Sequence, residues 1–188
     1  VPCDKMLVKG LDIIRSSTAK RFREKLKETV GLMLQKKTEE EIDAHSYEVY
    51  RDFLDWDLDD IALPRTVNNL KKFSCEGLDF VKSTPQQIKG AMAYNYYLEK
   101  LGLRDYEPLM DGDKFKLLLL KKNTHLMVDS IGYKEKLIPE FDIQANDIDK
   151  NRMFELGYMS LMEMMYTALG WKLKDYTKLT QNCDDLFD

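Results

Sequence analysis

The sequence predicts an α+β fold that is mostly helical, and three observations support this prediction. Apolar residues recur at helical spacing in four long segments. The run at residues 117–120 is continuously apolar between basic ends, which is typical of a buried strand. A chain of 188 residues, 44% of them hydrophobic, can bury a sizeable core as one domain, or as one domain with a small appendage.

The first predicted elements are a short extended segment and a basic helix. Residues 5–15 favour a strand, a break at Gly10 and a second extended piece, which together are too short to fold alone. The hydroxyls of residues 16–18 are suited to cap a helix, which is predicted to continue to about Lys36. Its apolar stripe consists of Phe22, Leu26, Val30 and Met33.

A second, acidic helix is predicted to begin at a capping box. Thr38 and Glu41 can each bond an otherwise free amide of the first turn. The stripe of this helix consists of Ile42, Val49, Phe53 and Trp56. Residues 57–84 contain Pro64, Gly77 and a turn-prone pair at 68–69, so a loop-rich stretch with room for one helical turn is expected.

The third predicted helix has clear signals at both ends. Thr84 is suited to cap it, Pro85 to occupy its first position, and Gly102 to adopt the left-handed conformation after its end. Its stripe consists of Ala91, Tyr94, Leu98 and Leu101.

A strand and a last helix complete the prediction. Residues 114–122 favour a buried strand, with which residues 125–131 can pair. Asp147 and Asp149 are suited to a helix N-terminus, and helical spacing then continues to Gly170. The stripe consists of Phe154, Tyr158, Leu161, Met165 and Leu169.

Cysteine, histidine and aspartate positions argue against a metal site. The cysteines at positions 3, 75 and 183 share no CxxC spacing, and His45 lies far from His125. An EF-hand loop beginning at Asp55 would need Gly and Glu at its sixth and twelfth positions, which hold Asp60 and Thr66. Neither a bound metal nor a disulfide framework is therefore expected.

The charge distribution is more informative than the net charge of -4. Residues 1–36 contain nine basic and four acidic side chains, whereas residues 38–60 contain one basic and ten acidic side chains. A basic face, rather than a positive net charge, is what binds phosphate. No apolar run approaches the roughly 20 residues that span a bilayer, so an intracellular protein with no membrane partner is expected. The chain opens with Val1 rather than Met, which suits a fragment, a processed chain or one half of a split protein.

A resemblance to a known family begins at residues 9–18, Lys-Gly-Leu-Asp-Ile-Ile-Arg-Ser-Ser-Thr. This segment resembles the point in family-B DNA polymerases where the last palm strand leads into the first thumb helix, with Ala19 where proline is common. Further segments are similar, in the same order, to the T-even-like bacteriophage members of that family: residues 67–73, 84–95, 129–133, 137–139 and 154–171. The resemblance covers nearly the whole chain.

The resemblance implies a palm-edge remnant at residues 1–17, a helical thumb domain with a small β element at 18–183, and a flexible tail at 184–188. It implies the C-terminal part of a DNA-directed DNA polymerase, a nucleotidyltransferase of DNA replication. Its thumb would bind primer-template duplex through the backbone and minor groove without reading sequence. The expected partners are primer-template DNA and the palm, fingers and exonuclease portion of the polymerase. The expected location is the host cytoplasm if a phage encodes the chain.

Two motifs of that family are missing from the sequence. One is the Asp-Thr-Asp-Ser type turn that holds two metal ions, and the other is the Lys and Asn-Ser-x-Tyr-Gly helix that holds the incoming nucleotide. Phosphoryl transfer needs metal ions held by carboxylates near the reacting phosphate. The chain is therefore expected to have no catalytic residue and no cofactor of its own, with two Mg²⁺ ions in the missing palm.

The best candidates for DNA contacts are Arg65, Thr66, Asn69, Lys71 and Lys72. A turn that presents amides, a hydroxyl and ammonium groups together can follow a phosphate backbone. Taken alone, such a charged loop is more often ordinary solvated surface. The resemblance favours the DNA contact.

Further candidate contacts lie on two predicted helices. Gln86, Gln87 and Lys89 occupy a first turn, where free N–H groups and the positive end of the helix dipole attract phosphate. The same residues would also serve simply to start the helix, so Lys89 carries the distinctive prediction. Arg15 and Lys20 are candidates for contact with the primer strand near the palm, although basic residues on an amphipathic helix are most often solvated.

The tail is a candidate partner site. Leu186 and Phe187 are similar to the short acidic and apolar peptide with which family relatives dock on a ring-shaped sliding clamp. The alternative for the tail is a frayed terminus. The alternative for the whole chain is a nonenzymatic, replication-associated protein-interaction module, which predicts weak DNA binding that is insensitive to salt.

Overall fold

The structure is a computed structural model that describes residues 16–73 and 75–176. In this part of the chain, the helices are α1 (Lys20–Leu34), α2 (Glu39–Phe53), α3 (Leu58–Ile61), α4 (Gln86–Lys100), α5 (Lys150–Phe154) and α6 (Ser160–Leu169). The strands are β1 (Leu63–Thr66), β2 (Lys114–Leu119) and β3 (Ser130–Tyr133). A π-helical turn, Glu155–Met159, joins α5 to α6. The predicted α+β, mostly helical fold class is confirmed.

The chain divides into two compact units. The first unit contains residues up to Asp60 and from Phe154 onward, and the second unit contains Ile61–Met153. The domain boundaries expected after residues 17 and 183 remain predictions. No helix of the described residues is long and apolar enough to cross a membrane.

The ends of α1 and α2 show which capping predictions were correct. α1 begins after Ala19 without any side-chain cap, so the prediction that a hydroxyl of residues 16–18 would cap it was wrong. The capping box at α2 is confirmed: the Glu41 amide donates to Thr38 Oγ1 at 3.3 Å, and the Thr38 amide donates to Glu41 Oε2 at 2.9 Å. Hydrogen bonds from the Lys37 ammonium and then from the Thr38 amide lower the pKa of Glu41. The box thus stabilises the acidic start of α2.

Aromatic rings form the core of the first unit. The Phe22 ring centroid lies 5.4 Å from that of Phe53 and 5.2 Å from that of Trp56. Phe154 packs against Phe53 at 5.1 Å and against Tyr158 at 5.0 Å. All five side chains are buried. Each such aromatic pair stabilises a fold by about 0.5–1.5 kcal/mol beyond the contribution of the buried apolar area.

A polar cluster around Asp43 lies beside this core. The Asp43 carboxylate accepts hydrogen bonds from the hydroxyls of Tyr166 at 2.8 Å and Tyr176 at 3.1 Å. Lys174 Nζ lies 2.6 Å from Asp43 Oδ2. The amide of Lys172 donates to Glu39 Oε1 at 3.1 Å. These contacts fasten the segment that follows α6 onto α2.

The second unit is built on a three-stranded antiparallel sheet in the order β1-β2-β3. Leu63 pairs with Leu117, and Leu119 pairs with Ser130. The prediction of a loop-rich stretch at residues 57–84 missed β1, whose four residues include Pro64. β1 is at the edge of the sheet, where proline is tolerated. Its pairing with the apolar strand β2 is what makes it a strand. The predicted β2 strand is confirmed, and its partner β3 begins at the end of the predicted segment.

Helix α4 packs closely on the sheet because glycines face each other. A Cβ atom on Gly132 would lie 3.2 Å from the carbonyl oxygen of Gly90 and 2.8 Å from the Phe115 ring. Pro85 precedes α4, and the Thr84 hydroxyl is buried without a hydrogen-bond partner, so the predicted cap was wrong. The predicted left-handed residue at the other end is confirmed, with Gly102 at φ 68°.

The predicted last helix corresponds to α5, the π-helical turn and α6, and it begins directly after Asp149, one of the two predicted acids. Asp149 Oδ1 accepts the amide of Arg152 at 3.1 Å, which is a helix-start contact. Asp147 instead lies in a 3₁₀ turn and accepts the amide of Gln144 at 2.8 Å. Gly170 ends α6 at φ 73°, as predicted.

Candidate nucleic-acid interface

The candidate contacts at residues 65–72 lie together on the second unit. Thr66 ends β1 and is exposed, Asn69 is exposed in the following loop, and Lys71 and Lys72 are exposed in the 3₁₀ turn Leu70–Phe73. Asn69 adopts φ 59°, a left-handed conformation that asparagine tolerates better than most residues. The loop thus brings a hydroxyl, an amide and two ammonium groups onto one short stretch of surface.

This loop is held in place by a neighbouring turn. The Val67 amide donates to the carbonyl oxygen of Asp113, and the Gly112 amide donates to that of Val67, both at 2.9 Å. The Leu70 amide donates to the Asp111 carboxylate at 2.8 Å. A hydrogen-bonded loop loses less conformational entropy when it binds a ligand than a mobile loop does.

Arg65 differs from the other candidates because it is half-buried. Its guanidinium donates to the carbonyl oxygen of Pro64 at 2.8 Å. Burial lowers the pKa of Arg65, although an arginine remains cationic at neutral pH. Arg65 is therefore better placed to support the loop than to reach far into solvent.

The candidates at the start of α4 are engaged within the protein. Gln86 Nε2 donates to Asp129 Oδ1 at 2.8 Å. Lys89 Nζ lies 3.8 Å from Asp129 Oδ2, and the Lys89 side chain is only 21% exposed. The Asp129 carboxylate thus pairs with Lys89 within the protein, and a DNA phosphate would have to compete with it for the Lys89 ammonium. Gln87 is half-buried in the same turn.

The remaining candidates lie elsewhere. Lys20 is in the first unit, where its highly exposed ammonium lies 4.0 Å from Glu24. Arg15, Leu186 and Phe187 lie outside the described residues, so the predictions made for them stay predictions.

Sequence reasoning missed several residues that shape this surface. Asp111 and Asp113 lie far from the loop in sequence, and only the pairing of β1 with β2 brings their turn beside it. The same register places exposed Lys114 opposite Thr66, which adds a cation to the candidate surface. The role of Asp129 likewise depends on the packing of α4 against β3.

The groups on this surface are suited to hydrogen bonding and ion pairing. A cleft of about 560 Å³ beside the loop is lined by residues that include Lys71, Cys75, Asn95 and Tyr96. Burial and then Asp79 raise the pKa of the Cys75 thiol, so it stays protonated near neutral pH and is a poor nucleophile. In residues 16–73 and 75–176, no three metal-binding side chains lie together. Ammonium groups and amides on a fixed loop are suited to contact phosphates.

Comparison with known proteins gives one informative similarity. No family model matches the chain. Over 175 residues, or 92% of the chain, the sequence is 28% identical to the DNA-directed DNA polymerase of Enterobacteria phage T4. The chain spans 19% of the length of that polymerase. The similarity supports a relation between this chain and a DNA polymerase.

Proposed function

We propose that the chain is the thumb portion of a family-B DNA-directed DNA polymerase and binds primer-template duplex DNA without reading its sequence. The observation that carries this proposal is the 28% identity to a phage DNA polymerase over 92% of the chain. The candidate contacts at residues 65–72 support it, because they lie together on a loop that hydrogen bonds at Val67 and Leu70 hold in place.

The thumb would act by position and charge. Cations and amides that contact phosphates fix the register of a protein on the duplex but carry no sequence information directly. The duplex would thereby stay aligned with a catalytic palm in another part of the polymerase, which would hold the two Mg²⁺ ions. Nucleotide addition would depend on that palm, and the thumb would contribute alignment and processivity.

Charge removal on the loop is the direct test. Lys71→Ala combined with Lys72→Ala is expected to weaken binding equally on all duplex sequences. The log-log slope of affinity against salt should flatten by about two, near one for each lost phosphate contact. The measurement is fluorescence anisotropy of a labelled primer-template duplex, repeated at several salt concentrations and with scrambled sequences.

A control with the same loss of charge separates local contact from general electrostatics. Arg104→Ala combined with Lys136→Ala removes two exposed cations elsewhere on the second unit, and it should leave the slope nearly unchanged. Equal effects of the two double variants would contradict a specific contact at the loop. Binding that is absent at low salt, or insensitive to salt, would favour the protein-interaction module instead.

Asp129→Asn tests the internal competition for Lys89. The asparagine oxygen can still accept from Gln86, but the anion paired with Lys89 is lost. We expect duplex affinity to rise by about twofold to threefold and the salt slope to steepen by about one, because Lys89 becomes available to phosphate. The gain should disappear when Lys89→Ala is added. Unchanged affinity in the single variant would remove Lys89 from the set of DNA contacts.

A further inference from the structure

The connection between β2 and β3 presents an unusual methionine to solvent. Met127 is 84% exposed, the highest value among the exposed large hydrophobic side chains of the described residues. Its backbone adopts φ 53°, in the left-handed region that few residues other than glycine occupy. Residues held in such conformations persist only where the surrounding structure enforces them, and they are concentrated at binding sites.

The residues around Met127 enforce this geometry. Leu126 and Val128, on either side, are buried. The Tyr97 hydroxyl donates to the carbonyl oxygen of Leu126. His125 Nε2 hydrogen-bonds to the carbonyl oxygen of Phe141 at 2.9 Å. Met127 is therefore a fixed projection whose binding would cost little backbone entropy.

Two exposed lysines precede this projection in the same turn. Residues 121–128 include two exposed lysines, Lys121 and Lys122, and no acidic residue. A cleft of about 440 Å³ beside the turn is lined by residues that include Met127, the cations Lys122 and Lys89, and the anions Asp79 and Asp129. The turn thus combines one exposed apolar side chain with ammonium groups, and it shares its cleft with Lys89.

We propose that residues 121–127 form a second duplex-binding element, in which Lys121 and Lys122 contact phosphates and Met127 packs into the minor groove. This inference rests on the proposed function. Apolar side chains, methionine among them, are used to contact bases and sugars from the minor groove, while neighbouring cations hold the backbone. Within residues 121–127 themselves, two exposed lysines and no acidic residue favour a polyanion as the partner.

Paired variants separate the two roles. Lys121→Ala with Lys122→Ala is expected to flatten the salt slope of duplex binding by about two. Met127→Gln, which keeps the length of the side chain, is expected to weaken binding by about threefold without changing the slope, because only apolar burial is lost. Met127→Leu should retain most of the affinity. Met164→Gln is the matched control, since Met164 is also exposed, at 51%, and lies on α6 of the first unit, whereas residues 121–127 lie in the second unit.

Oxidation footprinting of the unaltered chain gives an independent readout. Met127 should be oxidised rapidly by dilute peroxide in the free protein and protected when saturating duplex DNA is added, whereas Met164 should be oxidised at the same rate in both. Mass spectrometry of the two peptides measures this directly.

The outcomes distinguish this inference from the function on which it rests. One outcome is that the salt slope flattens for the Lys71 and Lys72 variant but not for the Lys121 and Lys122 variant, and that DNA does not protect Met127. This outcome would overturn the second duplex-binding element and leave the proposed function standing. Failure of the unaltered chain to bind duplex at low salt would overturn both. Protection of Met127 by another protein, but not by DNA, would assign the turn to a protein partner and overturn the inference.

Discussion

Asp43→Ala is expected to lower the free energy of unfolding of the chain by about 2–4 kcal/mol, since each buried hydroxyl left without an acceptor costs about 1–3 kcal/mol. The loss would leave the hydroxyls of Tyr166 and Tyr176 without their acceptor in a buried site. Burial raises the pKa of both phenols, which therefore stay neutral donors. Urea denaturation followed by circular dichroism measures the change.

Two comparisons make this prediction specific. Asp52→Ala removes an exposed carboxylate from the same helix, and it should change stability by no more than about 0.5 kcal/mol. Lys174→Ala should cost about 1 kcal/mol or less, because the Lys174 side chain is 56% exposed and its ion pair is screened by water. If Asp43→Ala were as stable as Asp52→Ala, the cluster would not hold the segment after α6.

Gly157→Ala is expected to destabilise the first unit by about 1–3 kcal/mol through overpacking. A Cβ atom at this position would lie 2.8 Å from Phe22 Cζ and closer still to two other atoms of that ring. The ring cannot move aside easily, because Phe53 and Trp56 pack against it. Thermal and urea unfolding of the purified variant measure the loss.

Gly31→Ala is the matched control for Gly157→Ala. Gly31 lies within α1, and apart from its chain neighbours and the backbone of its own helix no atom lies within 4 Å of the position its Cβ would take. Alanine should therefore be neutral or stabilise the helix by up to about 1 kcal/mol. Adding Phe22→Leu to Gly157→Ala should recover part of the loss, as a double-mutant cycle would show. A Gly157→Ala protein with unchanged stability would mean that the aromatic core is looser than the structure indicates.

The DNA-binding predictions concern smaller changes in free energy than the stability predictions do, and they test function rather than folding. The stability variants test the packing of the first unit, whereas Lys71, Lys72 and Asp129 test whether the second unit binds duplex DNA. Because Lys71 and Lys72 are exposed, their replacement should leave the free energy of unfolding nearly unchanged. Loss of binding without loss of stability would therefore support the proposed function directly.

Local signals predicted the helices well. The capping box at Thr38 and Glu41 and the left-handed glycines at positions 102 and 170 depend on contacts within a few residues. Helical periodicity marked most of the buried positions of α1 and α2 for the same reason, since the two faces of a helix repeat every three to four residues. The helical part of the fold class could therefore be deduced without the structure.

Long-range packing decided the rest. β1 contains a proline and has no apolar alternation, so only pairing with β2 makes it a strand. The candidate loop was identified from its composition, but the turn at residues 111–113 that holds it is about 40 residues away in sequence. Lys89 was chosen for its place at a helix start, whereas its partner Asp129 is brought there by the close packing of α4 on β3. Sequence patterns report local hydrogen bonding and burial, but the partner of a side chain depends on which distant segments the core brings together.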